Sequence, residues 1–403
     1  MSPGKERQWA AAQWPAALRG FRFLAGHCGI KPSAPDLAWI IAEPAARCAA
    51  VFTTNRVQAA PVRLSRDHLR RAGGRVRSLV INSGNANCAT GAAGRRAAEA
   101  TARAAARALG CSGDEIFVAS TGVIGVPLPF RLITAQLAAW TARPDQDGAA
   151  AAAEAIRTTD TRAKLAGASF QAAGRAYHVG GFAKGAGMIH PRMATMLAFL
   201  FTDAPVAAPA LRRALRSAVE RSFHRITVDG DTSTNDTVAL LAAGDGALPA
   251  AAHAPFERAL AAVAGSLARQ IVLDGEGARR FVTVWVEGAR SAADADRAAR
   301  AIAHSPLVKT ALAGADPNWG RILCAAGYSG ARFDPELASV RANGLLLYRR
   351  GRAMPFDEAE AKRRLNVPEV ELRIHLGAGR AAAWMWTCDL TEEYIRINAS
   401  YRT

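Results

Sequence analysis

Apolar runs rich in β-branched residues recur along the chain and predict strands. They lie at Ser78–Asn82, Glu115–Ala119, Thr195–Thr202, Thr237–Leu241, Phe281–Val286, Val370–Leu376, Ala382–Asp389 and Tyr394–Asn398. Residues 370–376 alternate with a period of two, as a strand with one solvated face does. Residues 195–202 are apolar on both faces, which predicts a central strand. Between these runs lie amphipathic Ala/Arg-rich stretches that predict helices near 92–109, 130–141, 147–157, 207–222, 255–270 and 292–303. Gly110, Gly288 and the Asp274-Gly-Glu-Gly277 turn are read as stops. Strands and helices come in mixed order without strict βαβ alternation, which favours a layered α+β sandwich over a doubly wound parallel sheet. Residues 1–16 read as a loosely docked arm, and 142–148, 244–255 and 330–336 as hinges.

The 403 residues suffice for two or three domain-sized units. Half are apolar and 21% are charged, as in ordinary globular chains. No run of 18 apolar residues is free of charge, so no membrane helix is expected. Met1-Ser-Pro-Gly-Lys-Glu-Arg7 leads into no apolar core, so no secretory signal is expected either. Six scattered cysteines (28, 48, 88, 111, 324 and 388) form no paired motif and fit a reducing cytoplasm. The net charge of +17 raises the prospect of a nucleic-acid partner. The basic residues, however, are spread over many helices and not interleaved with aromatics, so no nucleic-acid partner is expected. An anionic small-molecule substrate would profit from the same field.

Several segments carry candidate chemistry. Gly180-Gly-Phe-Ala-Lys-Gly-Ala-Gly187 lacks the spacing of a phosphate loop. Its Lys184 reads about evenly as a solvated cation or as a functional group, the latter a carboxylate clamp or a desolvated base. Asp229-Gly-Asp-Thr-Ser-Thr-Asn-Asp236 imitates a calcium loop but offers Thr234 and Leu240 where Gly and Glu are needed, so no metal is expected. Thr121-Gly122 follows the strand ending at Ser120 and could aim a hydroxyl and a backbone N–H at one point, as an oxyanion hole requires. The eight histidines show no His-x-x-x-His, and none stands beside an apparent Ser or Cys nucleophile; His178 and His375 read as structural. At Ala194–Thr195 a glycine-rich loop enters the central strand. A Thr there can attack the preceding carbonyl, cut the chain, and keep a nucleophilic hydroxyl beside its own free α-amine. Such an amine has a reference pKa of about 7.7–8.0, so roughly 10–17% is neutral at pH 7.

Taken together these segments resemble the ornithine acetyltransferase family. The matches run in order: Val51-Phe-Thr-Thr-Asn-Arg-Val57, Asn82-Ser-Gly-Asn-Ala-Asn-Cys-Ala-Thr-Gly91, Ser120-Thr-Gly-Val-Ile-Gly125, Thr158-Thr-Asp-Thr161, Lys184-Gly-Ala-Gly-Met-Ile189 and Met193-Ala-Thr-Met-Leu197. Arg225 to Asp236, Asp274-Gly-Glu-Gly277, Asp316-Pro-Asn-Trp-Gly-Arg321 and Asn398-Ala-Ser-Tyr-Arg-Thr403 follow. The resemblance implies a four-layer α/β/β/α sandwich, self-cleaved between Ala194 and Thr195 into an α chain (1–194) and a β chain (195–403, with a C-terminal lobe from about 281). It implies Thr195 as nucleophile, Thr121 and Gly122 as oxyanion stabilisers, and Thr158, Lys184, Thr195, Glu276, Asn398 and Thr403 as substrate residues. The implied reaction is ping-pong transfer of acetyl from N-acetylornithine to glutamate, releasing ornithine, in arginine biosynthesis. No cofactor is implied, acetyl-CoA as a second donor is left open, and the cleaved chains are expected to associate as a cytoplasmic heterotetramer. The sequence departs from the family pattern at Ala186, His190, Arg192 and His224. An amidase or aminopeptidase with the same nucleophile, and an uncleaved, inactive binding subunit suggested by Arg192, stand as alternatives.

Overall fold

Leu197–Thr202 and Thr237–Ala242 are buried at every position, and this fixes the middle of the larger sheet. The computed structural model describes residues 14–142, 147–190 and 196–400. The chain divides into two units: one runs through His224 and resumes at Asp231–Ile271, the other takes Arg225–Gly230 and the chain from Val272.

The first unit contains strands β1 (Phe21–Gly26), β2 (Leu37–Phe52), β3 (Arg75–Asn82), β4 (Ile116–Ser120), β5 (Lys164–Ala172), β6 (Arg175–Lys184), β7 (Leu197–Thr202) and β8 (Thr237–Ala242). They form one sheet in the order β4-β3-β2-β8-β7-β6-β5, with β1 paired to β2. β7 lies parallel to β8 and antiparallel to β6, in the interior position its two-sided apolar pattern predicts. β2 went unseen in the sequence because Glu43, Pro44 and Arg47 interrupt its apolar run. In the sheet its ladder with β3 shifts register between Ile41 and Ala46, around the residue that has no N–H to give.

Helices of the first unit are α1 (Ala60–Arg71), α2 (Gly91–Leu109), α3 (Phe130–Thr141), α4 (Gly148–Ala155), α5 (Ala208–Glu220) and α6 (His253–Leu273). Period-two alternation in β2 sends Trp39 and Ile41 to a core shared with α2 and α3. Ala38 and Ile40 face the opposite core, with α4, Phe182, Phe199 and Phe201. Trp14 packs edge-on against Phe23 and Phe201, so this part of the expected loose arm is anchored; residues 1–13 lie outside the described residues. Gly110, in the left-handed conformation, ends α2 where expected.

The second unit holds β9 (Phe281–Ala289), β10 (Ser339–Ala342), β11 (Leu345–Arg349), β12 (Arg352–Ala353), β13 (Glu369–His375) and β14 (Ala381–Cys388) in the order β12-β11-β10-β13-β9-β14. Val282, Val284 and Val286 of β9, with Val370, Leu372 and Ile374 of β13, face a core. Into it pack α7 (Ala292–His304), α8 (Pro306–Ala313) and α9 (Trp319–Gly327). Ser291, Ser305 and Asn318 cap these three helices through their side chains. α10 (Glu358–Leu365) precedes β13. The expected strand at 394–398 is instead part of a helix, α11 (Glu392–Ser400). Tyr394-Ile-Arg-Ile imitates period two, but Ile395 is 65% exposed, while residues 393, 394 and 397, spaced as one helix face, are the less exposed ones. The architecture is α+β, two mixed sheets each layered with helices.

Candidate functional site

The end of β4 is held on three sides. Ser120 Oγ donates to Asn82 Oδ1 at 2.6 Å, and the Thr121 N–H donates to the Asn82 carbonyl at 3.0 Å. Asn235 Nδ2 donates to the carbonyls of Ser120 and Ala86 at 2.8 and 2.7 Å. Gly122 follows at φ +129°, a conformation that disfavours any side chain. A Cβ there would lie 2.3 Å from the Gly84 carbonyl carbon, so only glycine fits. The Thr121 N–H is thus spent on the scaffold. The Thr121 hydroxyl and the Gly122 N–H take no partner among the described residues and remain available to an oxyanion.

A second cluster centres on Asp160, a residue whose importance the sequence did not signal. Its Oδ1 accepts from Lys164 Nζ and from the Gly185 N–H, both at 2.6 Å, and its Oδ2 accepts from the Thr158 N–H at 3.1 Å. Burial by itself would raise this carboxyl. The charges of Lys184 and Lys164 and the Lys164 and Gly185 hydrogen bonds outweigh it and hold Asp160 well below the usual carboxylate range. Lys184 closes β6 and is 3% exposed, which removes the solvated reading and leaves the clamp and the base. One buried acid thus orients Thr158 and the Lys184–Gly185 corner.

Lys31 adds to the positive side. Its ammonium donates to the Arg157 and Pro35 carbonyls at 2.7 and 2.9 Å. Burial lowers its pKa, Arg157 and Lys184 push the same way, and Asp36 and Asp160 oppose them. Asp36 shapes the loop that carries Lys31 by accepting the N–H groups of Cys28, Gly29, Ile30 and Lys31. Those bonds overcome the effect of burial and keep Asp36 ionised below the usual range. With Lys31, Lys164 and Lys184 around Asp160, the cluster carries excess positive charge suited to a substrate carboxylate.

A third element begins β8. Asp236 Oδ1 accepts the Met196 N–H at 2.7 Å, and the Thr237 N–H donates to the Met196 carbonyl at 3.1 Å. Asp236 is fully buried, which pushes its carboxyl well above the usual range against the pull of the Met196 N–H and the Lys184 charge. Asn235 and Asp236 therefore connect the Ser120–Gly122 turn to Met196, the first described residue before β7.

In the second unit, Glu276 Oε2 accepts from Asn398 Nδ2 at 2.8 Å, bringing two expected substrate residues together. Gly277, at φ +70°, lets the turn pass beneath α11, where a Cβ would lie 2.5 Å from the Tyr394 nitrogen. Ala194 and Thr195, the expected cleavage site and nucleophile, lie outside the described residues, as do Arg192 and Thr403. Among the described residues no three His, Cys, Asp or Glu side chains gather as a metal site. Burial pushes Cys28 up to about 12, with Asp36 adding to it, and raises Cys48 and Cys388 as well, so these thiols are poor nucleophiles. His178 is structural: its ring and N–H both bond the Asp203 carboxylate.

Asp160 and Asp236 both stood inside matched motifs. An acid among threonines reads as turn chemistry, and only the sheet pairing that buries it reveals more.

The model of the ArgJ family matches residues 22–403. The arginine biosynthesis bifunctional protein ArgJ of Symbiobacterium thermophilum is 50% identical over 373 residues, 91% of this chain and 92% of its own length. The protein of the same name from Thermus thermophilus is 49% identical over 387 residues, 96% of this chain and 98% of its own. A crystal structure of arginine biosynthesis bifunctional protein argJ from Bacillus halodurans shares 40% identity, covers 50% of this chain and 98% of its own, and has a TM-score of 0.48.

Proposed function

Because the chain belongs to the ArgJ family, we propose that it is a glutamate N-acetyltransferase of arginine biosynthesis, moving acetyl from N-acetylornithine to glutamate. The observation that carries this reading is identity of 50% sustained over 91% of the chain with a protein named for that pathway. The geometry supports it: hydroxyl and N–H donors stand ready at Thr121 and Gly122, and a cationic cluster surrounds Asp160 beside Thr158 and Lys184.

In the proposed sequence the chain first cuts itself at Ala194–Thr195. The Thr195 hydroxyl then attacks the acetyl carbonyl while the α-amine takes its proton. The oxyanion is stabilised by the Thr121 hydroxyl and Gly122 N–H. Ornithine leaves, glutamate's amine attacks the Thr195 ester, and the enzyme is regenerated. Lys184 meets the amino-acid carboxylate, and Thr158 lines its approach. Glu276, Asn398 and Thr403 enter as substrate residues by resemblance, Glu276 being of the sign to meet a cationic amine. The reaction needs no cofactor, takes place in the cytoplasm, and is carried out by two copies each of the α and β chains.

The test is a denaturing gel followed by an assay. Two bands are expected, one with the N-terminus Thr195-Met196-Leu197, and acetyl transfer from N-acetylornithine to glutamate that Thr195→Ala abolishes. A single full-length band, or activity that Thr195→Ala leaves untouched, would refute the assignment. Repeating the assay with acetyl-CoA decides whether it is a second donor.

A further inference from the structure

Lys31 bridges the oxyanion turn and the Asp160 cluster of the first unit. Its stem lies over Gly84, where an added Cβ would come 3.0 Å from Lys31 Cγ. Gly84 in turn backs Gly122, whose own Cβ would stand 2.3 Å from the Gly84 carbonyl carbon. The ammonium reaches the other way. It donates to the Arg157 carbonyl at 2.7 Å, one residue before Thr158, and Asp160 holds the Thr158 N–H together with that of Gly185. Lys184 is near enough for its charge to act on Lys31.

No carboxylate neutralises this ammonium among the described residues. Two of its three hydrogens go to uncharged carbonyls, those of Arg157 and Pro35. Asp36, in the same loop, turns its oxygens to the N–H groups of residues 28–31. Lys164 differs: it is fully buried and bonded to Asp160 at 2.6 Å, so its charge is already answered. Lys31 is partly exposed, so an incoming carboxylate can reach the donor it has left.

The two substrates of the proposed reaction differ at their side chains. N-acetylornithine brings a cation there, and glutamate a second carboxylate. A clamp at Lys184 serves the carboxylate they share. Glu276 has the wrong sign for the one that glutamate alone carries.

We infer that Lys31 is a specificity-determining residue for the acceptor, its remaining ammonium hydrogen binding the side-chain carboxylate of glutamate while Lys184 holds the α-carboxylate. This rests on the transferase reading above and adds to it the group that selects a diacid.

Glutamine has the shape of glutamate without the second charge. With N-acetylornithine as donor, kcat/KM is measured for glutamate and for glutamine, in wild type and in Lys31→Met, which keeps a stem over Gly84 and removes the charge. Wild type should prefer glutamate. Lys31→Met should lower that preference about 10- to 100-fold, as loss of one hydrogen bond between charged groups does. A residue that only ties its loop to Arg157 would slow both acceptors alike, and that result, or an unchanged preference, overturns the assignment while the transferase reading stands. Lys31→Gln, which keeps a donor for the Arg157 carbonyl, repeats the measurement with the loop held and should show the same drop. Wild type gives a readout that needs no variant to fold: glutamine accepted as readily as glutamate overturns the assignment. A wild type that moves acetyl from N-acetylornithine to neither acceptor overturns the transferase reading itself, and the role of Lys31 with it.

Discussion

Replacing Asp160 by Asn removes the buried carboxylate to which Lys164 donates and on which the charges of Lys164 and Lys184 act. Breaking a buried ion pair from one side costs about 3–5 kcal/mol. The sign of the pH dependence follows from the depressed carboxyl. Its stabilisation is fully present above the unfolded value of about 3.9 and is lost as pH falls through the lower folded value. Asp160→Asn should therefore unfold at lower denaturant across the neutral range, and its deficit against wild type should shrink only in strong acid. Urea titrations at several pH values measure this, and a deficit that grows toward acid would contradict it. KM for the amino acid should rise as well, since an amide keeps only one of the two oxygens that the Thr158 and Gly185 N–H groups use. None of this was legible in Thr158-Thr-Asp-Thr161, where a lone acid among hydroxyls looks like a turn. The burial that gives Asp160 its role arises from a ladder placing Lys164 opposite Ala183, next to Lys184, and no local pattern carries that pairing.

At the scale of elements, the short segment Ser233–Asp236 joins pieces far apart in sequence. Asn235 holds Ser120 and Ala86, Asp236 holds Met196, and Thr53 returns to the Ser233 carbonyl. Asn235→Ala leaves two buried carbonyls without their donor and should cost about 1–3 kcal/mol. If the segment aligns the oxyanion pair, kcat should also fall, by up to about 10²-fold for a displacement near 1 Å. Denaturant unfolding and single-turnover acetyl transfer separate the two effects; lost stability with unchanged kcat would reduce Asn235 to a structural tie. Elements of this kind were partly readable. α2, α3 and α5 announced themselves through clean helical periodicity, and strands β7, β8 and β9 through runs rich in apolar, β-branched residues. β2 hid behind Glu43, Pro44 and Arg47, while 394–398 misled because five residues can satisfy two periods at once. The loop 233–236 showed its hydroxyl and amide chemistry, though not the partners it reaches.

At the scale of the molecule, the order β4-β3-β2-β8-β7-β6-β5 has a consequence for the proposed cut at Ala194–Thr195. Strands β1 to β6 precede the Ala194–Thr195 bond, whereas β7 and β8 follow it. The two later strands stand between earlier ones, β8 paired with β2 from Arg47 to Phe52 and β7 paired with β6 from Val179 to Lys184. Cutting the chain therefore leaves two polypeptides interleaved in one sheet, joined by two ladders and by an aromatic core in which Phe182 of one meets Phe199 and Phe201 of the other. Neither can leave without opening the sheet on both flanks. The processed enzyme should accordingly elute as a single species through dilution and high salt, with the chains parting only in denaturant and in one cooperative transition. Residues 195–403 expressed alone would carry β7 and β8 with both outer edges unpaired, the condition that promotes edge-to-edge association. They should aggregate unless residues 1–194 are co-expressed, and size-exclusion chromatography of the two preparations is the measurement. A soluble, monomeric 195–403 fragment would show that the interleaved sheet is not what holds the halves together.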